Sequence, residues 1–211
     1  MTLLDRGALA DDVLTAAVRL LGCTLEADTP EGTVAVRLVE VEAYRGADDP
    51  ASHSFRGRTP RNAVMFGPPG YLYVYFVYGM HFCANVTCLA EGEPGAVLLR
   101  AGEVVSDLAA AHVRRPTARR AADLARGPAR LAALLGLDRA DNGLDLTDPT
   151  SRVRLHRGVP VAPASVRTGP RVGVAAAHDT PWRFWIADSA AVSPYRPGRG
   201  APRPVGGGSV V

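Results

Sequence analysis

The sequence has no lysine: all 24 basic residues among its 211 are arginine. A bias toward Ala, Arg, Gly and Pro accounts for this, but it has a chemical consequence. No side chain can form a lysine Schiff base with an aldehyde or an opened sugar; only the α-amino terminus could. Cysteine is scarce and odd in number: Cys23, Cys83 and Cys88. They form no C-x-x-C pair and have no histidine at ligand spacing, so neither a disulfide framework nor a zinc site is expected. They read as reduced and partly buried. No apolar run approaches the ~18 residues of a membrane span. The start, "MTLLDRGALADD", carries acids early and lacks the apolar centre of a signal peptide, which points to an intracellular protein. Aromatic residues are few, at 6%.

That scarcity makes "YLYVYFVYGMHF", residues 71–82, conspicuous, because it holds four of the six tyrosines. A core strand is built more simply from Val, Ile or Phe, whose side chains need no hydrogen-bond partner, whereas each buried Tyr hydroxyl needs one. Tyr71, Tyr73 and Tyr75 share one face of a strand by period-2 alternation. Tyr78 has opposite parity and sits beside Gly79, where the chain turns. A Tyr-rich amphipathic strand is one explanation; rings that stack on nucleobases or wedge between base pairs are another.

The length suits one domain with a substantial core. Residues 8–21 have helical spacing and stop at Gly22. Residues 33–43, 71–78, 82–89 and 95–104 read as strands, with 152–155, 171–175 and 182–188 as shorter candidates. The stretch 112–137 suggests two short helices broken near "RGP". Six arginines between 114 and 130 are either backbone contacts for an anion or a solvated helix face. Residues 44–62 form a long polar loop, and such loops are usually functional. Gly and Pro dominate 194–211, which reads as a disordered tail after a domain spanning 1–193. Without regular βαβ alternation, α+β is the expected class.

Several residues invite chemistry. Glu40 and Glu42 in "VEVEAY" share a strand face among valines, where unpaired carboxylates are costly. Each is either paired with an Arg or, at the strand's end, a general base. Tyr44 shares the face of Glu42. His53 is the loop's only histidine. Arg56, Arg58, Thr59, Arg61 and Asn62 in "RGRTPRN" suit phosphate oxygens or are simply solvated. Arg100 ends the apolar run "AVLLR" and is either paired with a carboxylate or aimed at an anion. Together these are parts that could hold a base out of a duplex and attack its sugar with water.

The strings "VEVEAYRGADDPASHSFRGRTPRN", "GPPGYLYVYFVYGMHFCANV", "AVLLRA", "RGPARLAALLGL" and "GPRVGV" resemble the alkyladenine (3-methyladenine) DNA glycosylase family of mammals and many bacteria, in order and at closely matching spacing, over about residues 10–190. The resemblance implies one mixed domain, with a curved antiparallel sheet surrounded by helices and a protruding β-hairpin. It implies Glu42 as the base that activates water and Arg100 as the residue that helps place that water. Tyr44 and Tyr75 would flank a flipped base, His53 contact its edge or sugar, and Asn85 disfavour a guanine-type 2-amino group. The backbone around Val172 would complete the water site. Tyr78 would fill the gap in the duplex, with Met80, Arg58, Thr59 and Arg61 also on DNA. His81 stands where some relatives carry an aromatic. The implied enzyme acts as a monomer on double-stranded DNA containing damaged purines, without cofactor, metal or membrane, in the cytoplasm or at the nucleoid. Lacking lysine, it would be monofunctional and leave an abasic site.

Two other functions remain open on the sequence. One is a non-catalytic nucleic-acid-binding module with an aromatic stacking surface. The other is a carbohydrate glycosidase using Glu40 and Glu42. Carboxylates two residues apart on a strand project in parallel about 7 Å apart, which does not suit flanking a sugar.

Overall fold

The computed structural model describes residues 1–77 and 79–198; Tyr78 and residues 199–211 lie outside the described residues. The chain forms an α+β domain on one open antiparallel sheet of nine strands. In chain order they are β1 (Thr24–Thr29), β2 (Gly32–Tyr44), β3 (Leu72–Val77), β4 (His81–Cys88), β5 (Gly95–Val104), β6 (Ala125–Arg126), β7 (Val153–His156), β8 (Val166–Gly169) and β9 (Arg183–Ile186). Three α-helices accompany them: α1 (Val13–Leu20), α2 (Leu108–Arg114) and α3 (Pro128–Leu134).

The long strands β2 and β5 pair with each other and organise the rest. β2 also pairs with β1 and β9, and β5 with β4 and β6. From Leu38 to Ala43 every residue of β2 is buried, so both faces of the sheet are covered there. That is why its apolar residues do not alternate cleanly with polar ones. The β2–β5 ladder is irregular around Glu40 and Arg100. Leu38 faces Gly102, Glu40 faces Ala101 and Val41 faces Leu99, so Val39 and Arg100 are skipped. Such bulges bend a strand and re-aim side chains. Here they turn Arg100 toward both glutamates.

The helix expected over 8–21 is a 3-10 turn, Arg6–Leu9, followed by α1. Asp12 divides them: its carboxylate caps α1 by accepting from the Leu14 N–H at 3.0 Å. α1 buries Val13, Ala16, Ala17 and Leu20 against β2 and β5. A helix begins at "RGP", with Gly127 at φ 103 and Pro128 opening α3, but what precedes it there is strand β6 and not a helix. The first of the expected helix pair is displaced to Leu108–Arg114, so residues 115–126, expected as helix, hold a 3-10 turn at Ala121–Asp123 and β6, and Leu124 belongs to neither helix.

The hairpin β3–β4 pairs Val77 with His81, and Gly79 adopts φ 67 at its tip. Residues 171–175, expected as a strand, are not one: Gly173 has φ 75, and the backbone there donates to the Glu42 carboxylate and the Arg196 carbonyl instead of a ladder. β1 and β8 were not apparent from composition. All three cysteines are free and buried, Cys88 completely. No helix among the described residues is long and apolar enough to cross a membrane.

Candidate active site

A cavity of about 580 Å³ opens between the β3–β4 hairpin, the loop after β2, the start of α3 and residues 172–176. Tyr44, His53, Tyr75, Asn85, Arg100 and Val172 all line it, together with His81. Thus residues 128 positions apart in sequence meet around one space, and its size is typical of a small-molecule site.

Glu42 lies behind this wall with no exposed surface. One carboxylate oxygen accepts from the Val172 N–H at 2.7 Å. The other accepts from the Tyr44 hydroxyl at 2.9 Å and pairs with Arg100 Nη1 at 3.2 Å. Its donors therefore come from β2, β5 and the 172 loop. Burial, and then the charge of Glu42, push the Tyr44 phenol well up, so it stays protonated and donates. For Arg100, burial opposes the charge, but Glu42 and Glu40 outweigh it and the guanidinium remains cationic.

Glu40 has a different fate. It is equally buried and takes both Arg100 Nε at 2.9 Å and Arg183 Nε at 2.7 Å. The N–H and hydroxyl of Ser193 complete its shell at 2.7 and 2.8 Å. A carboxylate so fully engaged is not free to attack or protonate a sugar, which removes the two-glutamate glycosidase.

The tyrosine-rich strand now makes sense. Tyr73 and Tyr75 stack with centroids 5.6 Å apart, and His53 packs edge-on to Tyr75 at 4.5 Å. The Tyr73 hydroxyl meets His53 Nδ1 at 3.1 Å, and the Tyr73 carbonyl accepts from Asn85 Nδ2 at 3.1 Å. Burial, then the Cys83 thiol beside it, keep the Tyr75 phenol protonated. Tyr71 is not part of this group: it bridges to Asp145 and lies under Arg6.

His53 keeps one edge toward solvent. Desolvation of the rest, followed by the nearby Arg61, lowers its pKa below the ordinary value. An NMR titration is expected to place His53 below the ~6.5 of a free histidine, and Arg61→Ala to move it upward. A midpoint at or above the free value would contradict the packing described.

Of the proposed DNA contacts, Arg61 reaches over the Tyr75 ring at 5.9 Å. Arg58 and Thr59 are exposed on the same loop, and Met80 is exposed at the hairpin tip. Tyr78 lies outside the described residues. Asn62 is not available for phosphate: it is buried, donates to the carbonyls of His53 and Gly57, and accepts from the Thr59 N–H. The arginines at 114–130 divide. Arg114 pairs with Glu31, and Arg120 and Arg126 with Asp123. Arg115, Arg119 and Arg130 have no carboxylate partner among the described residues.

One pair went unnoticed in the sequence. Asp49 and Arg171 form an ion pair with both side chains wholly buried, one bond measuring 2.8 Å. Arg171 also donates to the Ala43 carbonyl at 3.0 Å, and its guanidinium lies between the rings of Tyr44 and Trp182. The pair ties the loop after β2 to the 172 loop and fixes the Tyr44 ring. Among the described residues no group of three or more His, Cys, Asp or Glu is placed to hold a metal.

A buried carboxylate behind an aromatic cavity on this α+β scaffold is consistent with a DNA glycosylase, and comparison with known proteins decides the class. Residues 8–190 match the family described as Methylpurine-DNA glycosylase (MPG). A Nocardia farcinica protein is 57% identical over 199 residues, 92% of each chain. A Streptomyces avermitilis protein is 51% identical over 197 residues, 92% of each chain. A Mycobacterium tuberculosis protein is 48% identical over 208 residues, 92% of this chain and 97% of its own. All three carry the name "Putative 3-methyladenine DNA glycosylase". The chain belongs to the methylpurine-DNA glycosylase family. It is therefore a DNA repair hydrolase acting on DNA, and the non-catalytic binding module is set aside.

Proposed function

We propose that this protein flips a damaged purine, alkylated or deaminated, out of duplex DNA into the cavity and hydrolyses its N-glycosidic bond with a water activated by Glu42. The observation that carries this is the setting of Glu42: fully buried, yet held by Tyr44, Arg100 and Val172, which are themselves cavity walls.

As the C1′–N bond breaks, its electron pair leaves with the base and the sugar gains oxocarbenium character. Glu42 stabilises that positive charge and takes a proton from water as the water oxygen bonds to C1′. Arg100 holds the carboxylate and helps orient the water. The ring faces of Tyr44 and Tyr75 favour a cationic or electron-poor base, which alkylated purines provide. His53 contacts the edge of the base or its sugar, and Asn85 disfavours a guanine-type 2-amino group. Undamaged bases are harder to unpair, so flipping itself contributes to selectivity. The names of the relatives favour 3-methyladenine as one substrate.

On the duplex, Tyr78 would occupy the vacated space, with Met80 beside it at the hairpin tip. Arg58, Thr59 and Arg61 would meet phosphates on one side of the cavity, making affinity salt-sensitive. The enzyme would act as a monomer and, lacking lysine, would leave an abasic site with the strand intact.

The test is a single-turnover assay on duplexes bearing one hypoxanthine, one ethenoadenine or methylated purines. Base release with strand breakage only after alkali is expected. Strand cleavage without alkali would refute the monofunctional mechanism, and no release from any lesion would refute the substrate class.

A further inference from the structure

Glu40 is conspicuous because nothing in the reaction uses it. A buried carboxylate is costly unless fully bonded, and this one holds four donors without touching the cavity. Its purpose is visible from the side of Arg100. The three guanidinium nitrogens of Arg100 each have their own partner. Nε donates to Glu40 at 2.9 Å, Nη2 donates to the Ser193 hydroxyl at 3.3 Å, and Nη1 faces Glu42 at 3.2 Å. The Ser193 hydroxyl has one proton, and it goes to Glu40 at 2.8 Å. That leaves its lone pairs for Arg100.

We propose that Ser193 is a positioning residue for Glu42: together with Glu40 it fixes the Arg100 fork so that only Nη1 is left for the catalytic carboxylate. This rests on Glu42 being the general base. Without the hydroxyl, Nη2 has no acceptor and one Glu40 oxygen loses a donor. The fork then rotates to engage Glu40 with two nitrogens, and Glu42 loses its cation.

The segment carrying Ser193 is itself anchored. The Ser193 carbonyl accepts from Arg183 at 2.7 Å, and the Val192 carbonyl accepts from Arg126 at 2.9 Å. Further along, the Arg196 carbonyl accepts from the Gly173 N–H at 2.9 Å. A Cβ at Gly198 would stand 2.0 Å from the Val174 carbonyl oxygen, so the strand of chain lies directly on the 172 loop. Residues 193–198 thus press on the Glu42 shell from two directions, through Arg100 and through the loop that supplies the Val172 N–H.

The experiment compares wild type, Ser193→Ala, Ser193→Thr and Glu42→Gln in single-turnover base release at saturating enzyme, with DNA affinity and melting temperature measured alongside. Ser193→Ala is expected to slow release by about 10- to 100-fold, as a small misplacement of a reacting group does. Its DNA affinity should be unchanged, and Ser193→Thr, which keeps the hydroxyl, should recover the rate. A wild-type rate for Ser193→Ala while Glu42→Gln is inactive overturns the positioning role and leaves the general base standing. A loss confined to melting temperature or DNA affinity overturns it equally. Release by Glu42→Gln at the wild-type rate overturns the base assignment itself.

Discussion

Glu42→Gln is expected to lower the single-turnover rate of base release on the order of 10³-fold while duplex binding persists. The amide cannot take a proton from water, and it offers no negative charge to the developing oxocarbenium ion. The substitution is not silent in the ground state either. Both carboxylate oxygens of Glu42 face donors: the Val172 N–H on one side, Tyr44 and Arg100 on the other. An amide NH₂ must displace one of these contacts, and only the Tyr44 hydroxyl can turn to accept from it. An unmet buried donor costs about 1–3 kcal/mol, so a modest fall in melting temperature should accompany the loss of activity. Wild-type release by a correctly folded Glu42→Gln would eliminate the proposed mechanism.

The second large effect concerns stability. Asp49→Ala leaves the Arg171 guanidinium buried without its counter-charge, and such a break costs about 3–5 kcal/mol. For a chain of this size that corresponds to a fall in melting temperature of roughly 6–20 °C. Activity should decline as well, because Arg171 precedes Val172 and stacks on Tyr44. The pair Asp49→Leu with Arg171→Met removes both charges and should recover part of the stability lost in the single variant. Thermal melts of wild type and the two variants test this. A single variant that melts with wild type would show that solvent reaches the Arg171 guanidinium.

These two sites differ in how far they could be read from sequence. The strands holding Glu42, Tyr75 and Arg100 announce themselves by β-branched and aromatic content, and β5 spans the expected residues 95–104. Glu42 and Tyr44 were placed on one face by parity, and they do bond to each other. Glu40 has the same parity, and parity could not tell its role from that of Glu42. The distinction comes from partners 60, 143 and 153 residues away, and from a bulge with no local marker. The Asp49–Arg171 pair is hidden for the same reason, its members lying 122 residues apart. "RVGVA" has strand-like composition, yet long-range bonds to Asp49, Glu42 and Arg196 hold it as a loop. Local pattern reports which segments are extended. It does not report which charges meet across the fold.

The position of Ser193, 93 residues after Arg100, has a consequence for biosynthesis. Proteins emerge from the ribosome N-terminus first and fold as they do so. The loop arginines at 56, 58 and 61 appear before Arg100, and the Ser193 that bonds Arg100 appears 93 residues after it. If these residues act as proposed, a nascent chain has the means to meet nucleic acid before it has a finished hydrolytic centre. On the proposed mechanism, bond-breaking capacity is withheld until residue 193 has been made, and a chain cut ahead of it is expected to hold DNA without releasing a base.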